Sequence, residues 1–491
     1  MIATRPSRVR RVVLVGAALA CMAHVGSPDT FFTGHAGPYP VRVSVRLPGV
    51  IPGLARIAVR VAGADPDAIR SVSVQAVQWN VGEDGAPRPD EAVRVPGDRE
   101  LFAADLWFMV PTSYRVKIVV DGAQGRGTAI VPVVALATAE RTMSRPLGGA
   151  LAALGVFLGV GLITIVGASI RESGLAPGEM PDATRIRRAR IGSSIAAIVV
   201  VLAVWGGSGW WRTEAADYSE STLFRPFAAT ATVRVDGAVR LLSFAIRDSR
   251  WPAPPGGANR YSALMPDHGK LMHMFLVREP GLDAFAHLHP VARTSVAQDF
   301  DAPLPPIPPG RYRVFADIVH ESGYTQTLVA STDVPAGPGD ARGDPDDSWF
   351  EGATAAGGPN PVFRFGDGST IAWTVGPGPF VEKAERMLTF TVRDAAGAPL
   401  PLEPYMGMAA HVALTDEAGR VFAHLHPSGS ISMAALHRFD PHAMHDAPST
   451  MPNEVAIPYA FPQAGRYRLW VQIKREGQVM TAAFDAIVQK M

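Results

Sequence analysis

FAHLHP is written twice in this chain, at Phe285–Pro290 and again at Phe422–Pro427. Upstream, His268-Gly269-x-x-x-His273 is matched by Met406-Gly407-x-x-x-His411; downstream, Gly310–Val314 (GRYRV) is matched by Gly465–Leu469 (GRYRL). Three landmarks in one order define two copies of one β domain, residues 225–336 and 361–491, joined by a Pro/Gly/Asp-rich linker, 337–360. FAHLHP is offset by 137 residues between copies and GRYR by 155, so the second copy carries 18 additional residues. They fall between Met433 and Met451, a stretch that holds His437, His442, Met444 and His445.

The repeat gathers the chain's imidazoles. Eleven of 13 histidines lie between His268 and His445. On a strand, residues two apart share a face, which makes neighbours of His287 and His289, and of His424 and His426. A two-residue turn at Ala418-Gly419 sets His411 opposite His426, and a three-residue loop at Pro280–Leu282 sets His273 opposite His289. Each hairpin then presents three imidazoles on one face, provided the register does not slip by one residue. Three imidazoles suit zinc, copper or nickel. Methionines such as Met265, Met272, Met274, Met406 and Met408 accompany them, and soft thioethers shift the expectation to copper, with zinc or another soft transition metal second. His437, His442, Met444 and His445 make a second candidate set on the inserted loop, and Asp267 is a candidate outer partner for His268. The competing reading is structural: a buried histidine can simply hydrogen-bond a turn, and methionine fills sandwich cores. His320, present in the first copy alone, is a weaker candidate of the same kind.

Outward from the repeat, the chain reads as membrane-anchored. Residues 146–170 and 191–211 carry no charge and are each long enough to span a bilayer. Between them, 171–190 holds Arg171, Arg185, Arg187, Arg188 and Arg190, which the positive-inside rule places in the cytoplasm. Residues 1–23 read as a signal peptide, with a basic start and the apolar run Val12–Ala20. Both signals put residues 26–142 and the repeat on the outer, periplasmic side of a bacterial inner membrane. Residues 26–142 alternate apolar and polar positions, as in Tyr39–Leu47 and Ala55–Val61, and are expected to form a sandwich of about seven strands. The expected fold class is therefore mainly β, with immunoglobulin-like or cupredoxin-like sandwiches and two transmembrane helices.

A net charge of +1 from 46 basic and 45 acidic residues gives no basis for nucleic-acid binding. The one cysteine, Cys21, lies in the leader, so no disulfide or thiolate site is expected beyond it. H-E-x-x-H, G-x-S-x-G and nucleotide-loop patterns are absent from the sequence, and the chain is not read as an enzyme.

The Gly-x-x-x-His strand, the H-x-H-P hairpin end and the later Gly-x-Tyr strand resemble those of bacterial periplasmic heavy-metal-binding β-sandwich domains. Met406-Gly407-Met408 and Phe461–Tyr467 are also similar to YtkA-like/FixH-like domains, and the whole arrangement resembles a family of bacterial two-span membrane proteins. The resemblance implies copper sequestration, delivery or sensing, with the membrane and periplasmic metalloproteins or envelope proteins as partners. An envelope scaffold, with structural histidines, is the second expectation, and a zinc-dependent hydrolase the third.

Overall fold

The structure, a computed structural model, describes residues 29–63, 65–140, 142–251, 261–339, 343–355, 360–441 and 450–491. The expected signal peptide at 1–23 and three of the loop candidates, His442, Met444 and His445, lie outside them. The protein is mainly β with two long apolar helices, and its described residues divide into two compact units: those up to 136 with those from 225 onward, and those of 137–224.

In the smaller unit, helices Arg145–Glu172 and Ala183–Asp217 are long and apolar enough to cross a membrane, with mean hydropathies of 2.4 and 1.9 over their most apolar windows. Their apolar side chains, including Phe157, Val160, Val201 and Val204, point outward, as a lipid-facing surface requires. The second helix starts earlier than the sequence reading set it. Asp182 caps it by accepting from the Arg185 amide at 2.7 Å, so Arg185–Arg190 form its first turns rather than a loop.

The larger unit begins with a two-sheet sandwich. One sheet contains strands Thr30–Ala36, Tyr39–Arg46, Gly53–Val61 and Leu101–Phe108, and the other contains Ile69–Gln78, Ser113–Gly122 and Gly125–Val134. The two copies of the repeat follow, each a sandwich of its own. In both, the GRYR strand lies beside the first strand of the histidine hairpin: Gly310–His320 pairs with His273–Arg278, and Gly465–Arg475 pairs with His411–Asp416.

Alternation decides how the copies meet. In the second copy, Val412, Leu414, Ala423 and Leu425 point into its own core. Alternate residues of the same strands, Ala413 and Phe422, join Phe275, Phe285, Phe315 and Trp470 in a separate cluster shared by both copies. Both histidine-bearing sheets are therefore buried on two faces and pack against each other. Phe315 stacks on Phe422 at 4.2 Å, and Phe285 stacks on Trp470 at 4.6 Å. The expected linker takes part: its strand Ser348–Glu351 pairs with Ala284–Leu288 at the edge of the first copy's sheet.

Candidate metal centre

The shared face has an aromatic end and a histidine end. Val412 pairs with Leu425 and Ala413 with His424, the register that sets His411 against His426. Met274 pairs with Leu288 and Phe275 with His287, which sets His273 against His289. The six histidines point from the two sheets into one space, where Phe275 stacks on His287 at 4.2 Å and meets His424 at 4.9 Å.

A seventh enters through a tight turn. His268 and Gly269 both have positive φ (52° and 80°), the backbone of a type I′ turn, and Asp267 bridges Lys270 across it. Met406 and Gly407 repeat that turn in the second copy (48° and 80°), with Tyr405 bridging Met408. His268 reaches across to hydrogen-bond the Met406 backbone. Met406 and Met408 thus belong to the turn of the second copy that faces His268. His437 is exposed on the helix Met433–Phe439, which belongs to the insertion, and joins neither group.

The ring nitrogens form two trios, each with its three candidate ligand atoms within 4.8 Å of one another. They are His268, His411 and His426, and His273, His287 and His289. The first trio draws on both copies, contrary to the expectation of one trio per hairpin. His424 lies between them, with ring centroids 4.5 Å from His426 and 5.4 Å from His273.

Outer contacts fix the tautomers. His289 Nδ1 lies 2.9 Å from Asp347 Oδ1, His426 Nδ1 lies 3.0 Å from the Ile431 carbonyl, and His424 Nδ1 lies 3.4 Å from Asp317 Oδ2. The Nδ1–H groups of His289 and His426 donate outward, which leaves their Nε2 atoms with a lone pair facing inward. The Nε2 atoms of His268, His289, His424 and His426, and both nitrogens of His411, have no hydrogen-bond partner among the described residues.

His273 and His287 make the point by proton counting. His273 Nε2 donates to the Asp267 carbonyl at 3.2 Å, and His287 Nδ1 donates to Gln472 Oε1 at 3.0 Å. Both neutral rings have then spent their one proton. Their inward nitrogens, His273 Nδ1 and His287 Nε2, nevertheless sit 3.2 Å apart, lone pair to lone pair. A cation between them resolves that contact. The spacing is close to the roughly 3.3 Å edge of a tetrahedron with metal–nitrogen bonds of about 2.0–2.1 Å.

Burial, and after it the neighbouring histidines, push His273, His287, His411 and His426 well below the usual imidazole range. They are therefore neutral at pH 7, the form that ligates a metal. Burial also pushes the Asp267 carboxyl up, and its Oδ1 accepts from the Ala434 amide at 2.8 Å.

Sequence reasoning missed several supporting groups. Asp317 and Gln472 occupy equivalent places on the two GRYR strands, opposite His273 and His411. Each reaches a histidine of the other copy: Asp317 orients His424, and Gln472 orients His287. Aligning the GRYR strands would have shown two polar residues at one position of an apolar face. Tyr405 also escaped notice; its hydroxyl donates to the Asp346 carbonyl at 2.9 Å and lies 3.2 Å from His287 Nδ1.

His320 behaves otherwise. Its Nδ1 donates to the Ser262 carbonyl at 2.5 Å, and its Nε2 accepts from Gln326 Nε2 at 3.0 Å. Both nitrogens are satisfied among Phe227, Trp251 and Tyr261, so this histidine is structural.

Residues 364–490, most of the second copy, match the family described as "Domain of unknown function (DUF8832)". This is not the YtkA-like/FixH-like resemblance. No curated protein matches the chain. Among solved structures, an engineered protein is 22% identical over 18% of this chain and 17% of its own length, with a TM-score of 0.15. The chicken CNTN1 FN1–FN3 domains are 9% identical over 94% of this chain and all of theirs, with a TM-score of 0.14. An ICAM-5 D1–D4 ectodomain fragment is 9% identical over 90% of this chain and 74% of its own, with a TM-score of 0.15. Likenesses at these TM-scores carry no argument about function.

Proposed function

We propose that this protein is a membrane-anchored metal-binding protein whose paired β domains hold a transition metal in the histidine chamber between them. The observation that carries the reading is the set of inward ring nitrogens without a partner, of which those of His289 and His426 have no proton either. A buried polar atom left unpaired costs about 1–3 kcal/mol, and the chamber leaves several together. Copper is the favoured ion, because nitrogen sites bind Cu²⁺ most tightly among the first-row divalent metals; zinc is the second choice. Sequestration, delivery or sensing on the periplasmic face of an inner membrane is the role we infer, with periplasmic or envelope proteins as exchange partners. No reaction is assigned.

The test is metal content and Cu(II) and Zn(II) titration of the full chain in detergent, beside the His287→Ala/His289→Ala/His424→Ala/His426→Ala variant, which takes ligands from both trios. Tight binding that the variant loses supports the reading. Binding no stronger than that of a generic histidine-rich control removes it and leaves an interaction scaffold to pursue.

A further inference from the structure

The chamber holds more imidazoles than one ion can use. A single ion bound through nitrogen takes about four ligands at 2.0–2.1 Å, and seven rings converge here. They are also partitioned. His268, His411 and His426 have centroids 4.9–5.8 Å apart, and His273, His287 and His289 have centroids 4.6–5.4 Å apart. Only His268 and His273, at 6.1 Å, connect the trios directly. His424 fills the remaining gap, 5.4 Å from His411 and 5.6 Å from His287.

We propose that the chamber is dinuclear, with one metal ion in each trio and His424 between them as the additional ligand available to either. This rests on the metal-binding reading above. One ion would leave the buried nitrogens of the other trio unpaired, whereas two ions give each trio its partner.

The surroundings suit the added charge. Asp347 hydrogen-bonds His289, Asp317 pairs with His424, and Asp267 and Asp344 each lie 4.0 Å from a histidine nitrogen. Those four carboxylates are spread over both trios and the bridge, as two cations require.

The two places differ in kind. In the trio of His273, His287 and His289, every ligand comes from the first copy. The other trio needs His268 from the first copy with His411 and His426 from the second, so it exists only while the copies are docked.

The test is the metal-to-protein ratio of the full chain, loaded with Cu(II) or Zn(II), dialysed, and counted by mass spectrometry. The wild type is expected to hold two ions, and His411→Ala/His426→Ala and His273→Ala/His287→Ala are each expected to hold one. A wild-type ratio of one overturns the dinuclear inference and leaves metal binding standing, whereas a ratio of zero removes both. Loss of both ions from one variant, or retention of both, overturns the assignment of one ion per trio. Should a variant fail to fold by circular dichroism, electron paramagnetic resonance of the Cu(II)-loaded wild type decides. A magnetically coupled pair supports two ions in one chamber, and an isolated-copper spectrum integrating to one spin per chain overturns it.

Discussion

Asp317 and His320 stand three residues apart on one strand and face opposite ways. On the His320 side, a buried imidazole is closed into a finished network: the Phe227 amide donates to Gln326 Oε1, Gln326 donates to His320 Nε2, and His320 Nδ1 donates to Ser262. On the Asp317 side, His273, His287, His289 and His426 use their only protons on outward acceptors and turn lone pairs inward. Burial is equal, and the amino acid is the same. The balance of protons against acceptors separates a structural histidine from a ligand.

The largest expected effect tests that difference by metal loading. At a free-metal concentration of about 1,000 Kd, each bound ion adds about 4 kcal/mol to stability. Thermal unfolding of stripped and loaded protein should show a large upward shift in the wild type. His320→Gln should retain the shift, and His287→Ala/His289→Ala/His424→Ala/His426→Ala, which takes ligands from both trios, should lose it.

Acid sharpens the comparison from the other side. Burial lowers His320 to about 4 from the usual 6.5. Between those values the unfolded chain holds a proton that the folded chain lacks. The stability this group contributes is therefore complete above pH 6.5 and lost as pH falls toward 4, by about 3 kcal/mol. His268, His273, His287, His411 and His426 shift in the same direction, so metal-free wild type should lose stability steeply below pH 6.5. Urea unfolding at stepped pH should show a shallower slope in His320→Gln, by one proton, at about 1.4 kcal/mol per pH unit.

Smaller effects lie further out. Asp317→Ala and Gln472→Ala each remove an orienting contact made across the copies, and each should weaken metal binding about ten- to hundredfold in competition titrations. Ser432 Oγ caps the inserted helix by accepting from the Ala435 amide at 3.0 Å, so Ser432→Ala should cost about 1 kcal/mol in chemical unfolding. His437→Ala should change neither metal content nor stability by more than about 0.5 kcal/mol, because the side chain is exposed and outside both trios.

Much of this site could be read locally. The alternation in FAHLHP and the short hairpin loops place three histidines on one face of each sheet, and those relations need only strand geometry. What the sequence hid is long-range. The docking of two sheets face to face depends on Phe275, Phe315, Phe422 and Trp470, which look like ordinary core residues of separate domains. The replacement of His424 by His268 in the mixed trio follows from that docking, as does the exchange of Asp317 and Gln472 between copies. Ser348–Glu351 was obscured by its Pro/Gly/Asp-rich surroundings, and its pairing comes from an edge the first copy leaves open.

The strand Thr30–Ala36, first among the described residues, ends its own journey at the second copy. The Phe31 amide donates to Ser430 Oγ, the Thr33 amide to the Ser428 carbonyl, and the Ser430 amide to the Phe31 carbonyl. These contacts span about 400 residues of sequence and clamp the loop that leaves His426. A contact so distant in sequence pays its loop-closure entropy late. During biosynthesis the strand Thr30–Ala36 waits for the second copy to be made before it can zip into place. The loop behind His426 acquires its final brace only when that strand arrives.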